Sequence, residues 1–332
     1  MGTDGDLGEF ELIGRFFTKR GPGRGVTLGI GDDAAVLELP ANSDLVAAVD
    51  TIVCGRHFLE GADARAVGHR ALAVNLSDLA AMGATPAWAT LALTMPSADA
   101  DWLQGFAGGL LDLADAHRVA LVGGDTTRGP LTVSVQILGY VPHGTALRRS
   151  GGRAGHILAV SGTLGDAGAG LALLKSPPAQ VTSDVNALIR RFDYPTPRVQ
   201  LGLAARGIAS AAMDLSDGLV GDLPRLALAS GLAAHVDVER LPLSAAMRNM
   251  VDAERARDWA LGAGDDYELL LAVAPNRFAE LSAAADQLNL TLTAIGELRA
   301  GSAVTWSLNG HNFVPRVSGY DHFAQASTQI TV

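Results

Sequence analysis

ARAVGHRALAVNLSDLAAM (residues 64–82), AWATLALT (87–94), DADWLQGFAGGLLDLADAH (99–117) and VALV (119–122) follow one another with short breaks, and their order decides the fold class. The first and third are long and rich in the strong helix formers alanine and leucine. The second and fourth are short apolar runs that read as strands. Helix and strand in alternation denote an α/β domain in which helices cover a sheet.

Upstream, residues 9–18 read as a short amphipathic helix, broken by the glycine-rich segment 21–25, with strands over 26–30, 34–39 and 45–49. Downstream, residues 131–141 read as a further strand. PHGTALRRSGGRAG (142–155) then combines Pro, Gly and Arg in a composition suited to a surface crossing, which puts a boundary between domains of 1–145 and 146–332. The second half opens with a strand over 157–160, helices near 165–174 and 197–206, and the apolar run 211–217. VNLSDLA at 74–80 and MDLSDGL at 213–219 echo each other, a likeness too short to establish a duplication.

Two domains suit 332 residues, and a composition that is 48% hydrophobic with 18% charged residues suits compact, ordered ones. A net charge of −10 opposes nucleic acid and anionic membranes as partners and favours small molecules or metal ions. Cys54, the only cysteine, excludes an intramolecular disulfide framework and fits the cytoplasm. The opening MGTDGDLGEFELIGRFF is acidic rather than basic, so no signal peptide is expected. No apolar run approaches the roughly 18 residues of a membrane span.

The chemistry lies in aspartates that follow apolar sequence directly. GIGDDAAV holds Asp32 and Asp33, LVAAVD ends on Asp50, AVNLSD on Asp78, LVGGDTT holds Asp125, and AMDLSDGL holds Asp214 and Asp217. A buried ionised carboxylate without compensation costs several kcal/mol. Taken singly, each reads as a helix cap or turn residue, Asp78 and Asp217 above all because Ser precedes them. Taken together, at the ends of apolar segments, they read instead as a set that strand ends bring to one sheet edge. With few basic residues nearby, a cation is the simplest counter-charge, and hard oxygen donors suit Mg²⁺, several ions for so many carboxylates. Magnesium between carboxylates and a polyphosphate points to phosphoryl transfer or hydrolysis. Gly29, Gly31, Gly123 and Gly124 permit either a turn or close approach of a ligand. SGTLGD at 161–166, before a helix, is a layout that presents N–H groups to phosphate.

Gly29-Ile-Gly31-Asp-Asp-Ala34 fits a dinucleotide fingerprint in form only. Pro40 comes too soon for the helix that should follow, and Asp32-Asp33 would face a pyrophosphate with like charge. No P-loop and no protein-kinase signature set occurs.

GIGDDAAV, DTIVCGRHF, NLSDLAAMGATP, LVGGDTTRGP, RRSGG, SGTLGDAGAGL, YPTPR, MDLSDGLVGDL and GDDYELL, taken in this order from about residue 9 to the GYDHF at 319–323, resemble the thiamine-monophosphate kinase family of the aminoimidazole ribonucleotide synthetase superfamily. The resemblance implies two domains, an N-terminal mixed sheet that joins its copy in a homodimer barrel and a C-terminal α/β domain, with ATP and thiamine monophosphate as substrates. It implies magnesium-dependent in-line transfer to give thiamine diphosphate, without a phosphoenzyme. It further implies Asp33, Asp50, Asp78, Asp125, Asp214 and Asp217 as magnesium ligands with Asp32 beside them, Gly124, Asp125, Arg149 and Ser216 as ATP contacts, and His57, Asp265 and Tyr320 as substrate contacts. No general base is assigned. The chain departs from the family where Ala48-Val49 replace a Ser-Thr pair and where Asp265 replaces a glutamate. The aromatic that stacks on substrate is taken as Tyr320, with Val317 at the neighbouring alternative. Rival expectations are another enzyme of the superfamily, against which the internal position of Cys54 argues in two cases, and a binding protein that has lost turnover.

Overall fold

In the computed structural model, which describes residues 8–18, 23–320 and 322–323, the chain forms two compact units. These are Met1–Leu79 with Ala84–Gly144, and Ala80–Gly83 with Thr145–Val332. The expected α/β alternation is present in both. Gly21 and Pro22 of the predicted break after the first helix lie outside the described residues.

The first unit runs α1 (Glu9–Phe16), β1 (Val26–Leu28), β2 (Val36–Leu37), β3 (Ser43–Val53), α2 (Ala64–Ala81), β4 (Thr85–Met95), α3 (Ala100–His117), β5 (Ala120–Arg128) and β6 (Thr132–Pro142). Its main sheet has the order β3-β6-β4-β5. β6 pairs antiparallel with β3 and β4, while β4 and β5 are parallel, the pairing that requires the α3 crossover. α2 is apolar on nearly every side and is buried accordingly. It meets α3 at backbone distance: a Cβ on Gly68 would stand 2.0 Å from the Phe106 carbonyl oxygen, and one on Gly109 1.9 Å from that of Arg65. α3 starts on Asp99, whose side chain accepts the N–H groups of Asp101 and Trp102.

The second unit runs β7 (Ile157–Ser161), α4 (Asp166–Lys175), α5 (Ser183–Asp193), α6 (Val199–Ala205), β8 (Ala209–Leu215), α7 (Leu219–Ala229), β9 (Ala233–Asp237), α8 (Ala245–Met250), α9 (Ala253–Gly262), β10 (Glu268–Val273), α10 (Phe278–Gln287), β11 (Leu292–Arg299), β12 (Val304–Leu308) and β13 (His311–Phe313). They build a seven-stranded sheet, β13-β12-β9-β11-β7-β10-β8. Every residue of β10, ELLLAV, is buried, as a strand covered on both faces must be. Leu158, Val160, Met213, Leu223, Leu270 and Ile295 lie in the core around it.

Three sequence expectations are corrected here. Asp50 and Asp125 stand inside strands β3 and β5 rather than at strand ends, whereas Asp214, the penultimate residue of β8, does lie at a strand end. The strand expected over 119–122 continues through Gly123-Gly124-Asp125 to Arg128, because parallel pairing with β4 overrides the turn tendency of the glycines. Asp78 lies in the interior of α2 and is no cap. The echo between 74–80 and 213–219 is likewise not structural, since the first segment is helix and the second is a strand followed by a turn.

Candidate functional site

In the first unit the sheet register sets the spacing of the acids. Asp50 pairs with Val135, Val135 with Leu91, and Leu91 with Gly124, so Asp50 and Asp125 occupy adjacent rows three strands apart. At about 4.8 Å per strand they stand roughly 14 Å apart, too far to share one ion. The Asp50 N–H donates to Asn75 Oδ1 on α2 at 3.0 Å. Asp78 is one turn further on the same helix face. From Arg70 to Ala81 it is the only residue that is not fully buried, so α2 opens to solvent at that carboxylate. Gly124 has φ 153°, and a Cβ there would lie 1.9 Å from the Leu91 carbonyl oxygen. The strand neighbour alone therefore demands glycine. Asp33 N–H donates to Asp32 Oδ1 at 2.8 Å, and both residues are exposed. His57 sits in the turn after β3, where the Val53 N–H donates to its Nδ1 at 3.0 Å. That contact leaves Nε2 to carry the proton of the neutral ring.

The second unit gathers more of the predicted residues. β8 delivers Asp214, 6% exposed, and the chain then turns through Ser216 and Asp217 into α7. Asp222, in the first turn of α7 and 1% exposed, accepts the N–H groups of Ser216 at 3.1 Å and Asp217 at 3.0 Å. The Gly218 N-cap of α7 has no side-chain hydrogen bond, and Asp222 reaches back instead to hold the turn before the helix. Arg225 bridges Asp217 Oδ2 at 2.5 Å and Asp222 Oδ1 at 3.0 Å. Burial, reinforced by the charges of Asp217 and Asp214, pushes the Asp222 carboxyl up to about 7. Asp214 and Asp217, with Asp222 only partly ionised near neutral pH, still outweigh the one guanidinium, and surplus negative charge is the electrostatic condition for holding a cation.

Backbone contacts bring the remaining residues to the same turn. Asp265 N–H donates to the Ser216 carbonyl at 2.8 Å, and Tyr320 N–H to the Asp217 carbonyl at 2.9 Å. Val317, the alternative aromatic position, packs instead against the apolar core. Arg149 lies in a short 3₁₀ turn beside β8, tethered where Ala212 N–H donates to the Arg148 carbonyl at 3.0 Å, and its side chain is exposed.

SGTLGD does not offer its amides to a phosphate as the sequence predicts. Gly165 N–H and Ala167 N–H donate to the Asp266 carboxylate at 2.6 and 3.3 Å, so an internal anion already fills the start of α4. Behind it lies an ion cluster that sequence reasoning missed. Glu268, fully buried, accepts from Arg191 Nη2 at 2.9 Å, from Arg198 Nε at 2.6 Å and from Ser161 Oγ at 2.6 Å, and also pairs with Arg198 Nη2. SGTLGD, YPTPR and GDDYELL are thereby tied together. Among the described residues no three of His, Cys, Asp or Glu form a ready-made metal centre. Magnesium is compatible with that, because it uses one or two carboxylates and completes its shell with water and phosphate oxygens.

Comparison with known proteins adds a second line. Residues 31–141 match the N-terminal domain and residues 153–307 the C-terminal domain of AIR synthase related proteins. A thiamine-monophosphate kinase of Salmonella typhimurium is 47% identical over 327 residues, covering 96% of this chain and 98% of that one. The crystal structure of thiamine-monophosphate kinase from Stenotrophomonas maltophilia superimposes with a TM-score of 0.82 at 47% identity, covering 87% of this chain and 93% of that one. A structure described as AaThiL complexed with AMPPCP and TMP has a TM-score of 0.76 at 32% identity, covering 89% and 92%.

Proposed function

The chain belongs to the AIR synthase related family and, within it, to the thiamine-monophosphate kinases, and on that premise we propose how it phosphorylates thiamine monophosphate with ATP. The near full-length identity to such a kinase carries the choice of reaction. A phosphate oxygen of thiamine monophosphate attacks the γ-phosphorus in line, the bond to the β-phosphate oxygen breaks, and thiamine diphosphate and ADP leave. Residues 1–145 serve as the ATP, magnesium and dimerisation domain, and residues 146–332 complete the ATP and substrate sites.

Magnesium, when bound, would supply charge neutralisation at the phosphoryl oxygens. The donor set fits such an ion: Asp214 and Asp217 are carboxylates in a region of surplus negative charge, and Asp33, Asp50, Asp78 and Asp125 are the matching candidates in the first unit. Asp222 and Arg225 orient Asp217, the first by holding its N–H and the second by holding its carboxylate. Arg149 and Ser216 are assigned to ATP. His57, Asp265 and Tyr320 are assigned to thiamine monophosphate. We place the enzyme in the cytoplasm as a homodimer. The absence, among the described residues, of any helix long and apolar enough to cross a membrane is compatible with the location, and an open apolar sheet face supports the dimer.

The test is a product assay with magnesium, ATP and thiamine monophosphate. ADP and thiamine diphosphate should appear together, and free thiamine should not replace the monophosphate. Saturable binding of thiamine monophosphate without release of ADP would show a binding protein instead.

A further inference from the structure

Residues 264–267 form an arch that carries two features no sequence rule foretells. Asp265 and Tyr267, both non-glycine, have φ of 60° and 51°, in the left-handed region. Such backbone persists only where its surroundings over-determine it, and it concentrates at ligand sites.

The over-determination is visible on both sides. Asp265 N–H and Tyr267 N–H donate to the carbonyls of Ser216 and Leu215 at 2.8 and 2.9 Å. The intervening Asp266 is pinned by the amides at the start of α4, and the following Glu268 by Arg191 and Arg198. The side chains of Asp266 and Glu268 are thus engaged in the buried cluster, while those of Asp265 and Tyr267 turn to each other. The Tyr267 hydroxyl donates to Asp265 Oδ1 at 3.2 Å, from a ring that is 8% exposed.

We propose that Tyr267 is a positioning residue for substrate binding: its hydroxyl holds the Asp265 carboxylate and so fixes the direction in which that group is presented to thiamine monophosphate. This rests on the reading of Asp265 as a substrate contact. The chemistry suits the ligand class, since thiamine monophosphate carries a cationic thiazolium and an amino group, both of which a carboxylate attracts. A carboxylate one methylene shorter than glutamate has less reach, and restraint of its remaining torsions gives it the orientation that reach would otherwise supply. The buried aromatic ring supplies that restraint from a rigid base.

Steady-state kinetics and direct thiamine monophosphate titration of Tyr267→Phe, Asp265→Ala and the double variant test this. Y267F keeps the ring and loses only the hydroxyl. It should raise KM and Kd for thiamine monophosphate roughly 3- to 10-fold, the scale of the net contribution of one ordinary hydrogen bond. kcat and KM for ATP should stay within about twofold of the parent, the pattern of lost uniform binding. In the Asp265→Ala background the tyrosine change should add nothing. Titration per folded molecule separates loss of affinity from loss of folded protein. A Y267F enzyme with parental KM and Kd overturns the role of Tyr267, as does an effect that persists undiminished without Asp265. If Asp265→Ala alone leaves KM and Kd unchanged, the substrate reading of Asp265 falls and this inference with it.

Discussion

Arg225 serves two acidic groups, Asp217 and Asp222, while Asp214 stands beside them as a further acid. Asp217→Asn removes the carboxylate nearest the turn and leaves Arg225 to Asp222. The expected result is a loss of magnesium affinity of about tenfold or more, read from magnesium titration of the ATPase-coupled assay and from calorimetry with ATP. Asp78→Asn should do the same from the first unit, where its carboxylate is the solvent opening in an otherwise buried helix segment. Parental magnesium dependence in both variants would remove the metal assignment. Glu268 calls for a different outcome. Its carboxylate is the shared partner of Arg191 and Arg198, and breaking a buried pair by removing one member costs about 3–5 kcal/mol. Glu268→Gln should therefore lower unfolding free energy by that order in a urea titration, and an unchanged midpoint would show that the arginines find other partners.

α3 illustrates what a local pattern reveals. Its start is legible in the sequence because a cap acts over three residues: Asp99 accepts the N–H groups of Asp101 and Trp102 at 3.0 Å each. Asp99→Ala should cost about 1 kcal/mol of stability, measured by chemical denaturation. Its end holds a titrating group. Burial, with the nearby His69 as a lesser cause, lowers the pKa of His117 below the ordinary histidine value. The folded state therefore holds His117 neutral where the unfolded chain takes up a proton. This contribution to stability is complete above about pH 6.5 and is lost as pH falls through the folded pKa. His117→Gln should flatten that part of the stability profile, and an unchanged slope between pH 7 and pH 5 (roughly the histidine range) would count against it. Other elements were illegible for stated reasons. Gly124 in β5 reads from sequence as a turn or a ligand approach because its actual cause, the close pass of the Leu91 backbone, lies in another strand. Asp78 reads as a cap because Ser77 precedes it, yet the helix around it is fixed by burial. Ser161, Arg198 and Glu268 meet across separations of 70 and 107 residues, which no local period encodes. The positive φ of Asp265 and Tyr267 escapes for the same reason, since glycine is the only common sequence mark of that conformation.

At the scale of the whole molecule, a net charge of −10 makes an anionic substrate pair unwelcome unless cations accompany it, so activity should fail with ATP in the absence of a divalent ion and return on its addition. The other large-scale property is association. On β3 the alternate residues Leu45, Ala47, Val49 and Thr51 point away from the buried face that carries Ile52, and Leu45 and Val49 are 52% and 63% exposed. Gln136 on β6 and Ala92 on β4 continue this open surface across the sheet. An apolar sheet face left to water is a liability, and a second copy of the chain covering it would gain about 25 cal/mol for each Å² of apolar area removed from water. The replacement of a Ser-Thr pair by Ala48-Val49 fits here as well, because Val49 enlarges the apolar part of that face. The parent protein should sediment as a dimer at micromolar concentration. Leu45→Lys with Val49→Lys would place two like charges on each copy of this face, and should shift the species to monomer and lower the thermal midpoint. A monomeric parent, or a double-lysine variant that remains dimeric with parental stability, would show that this face is not where the copies join.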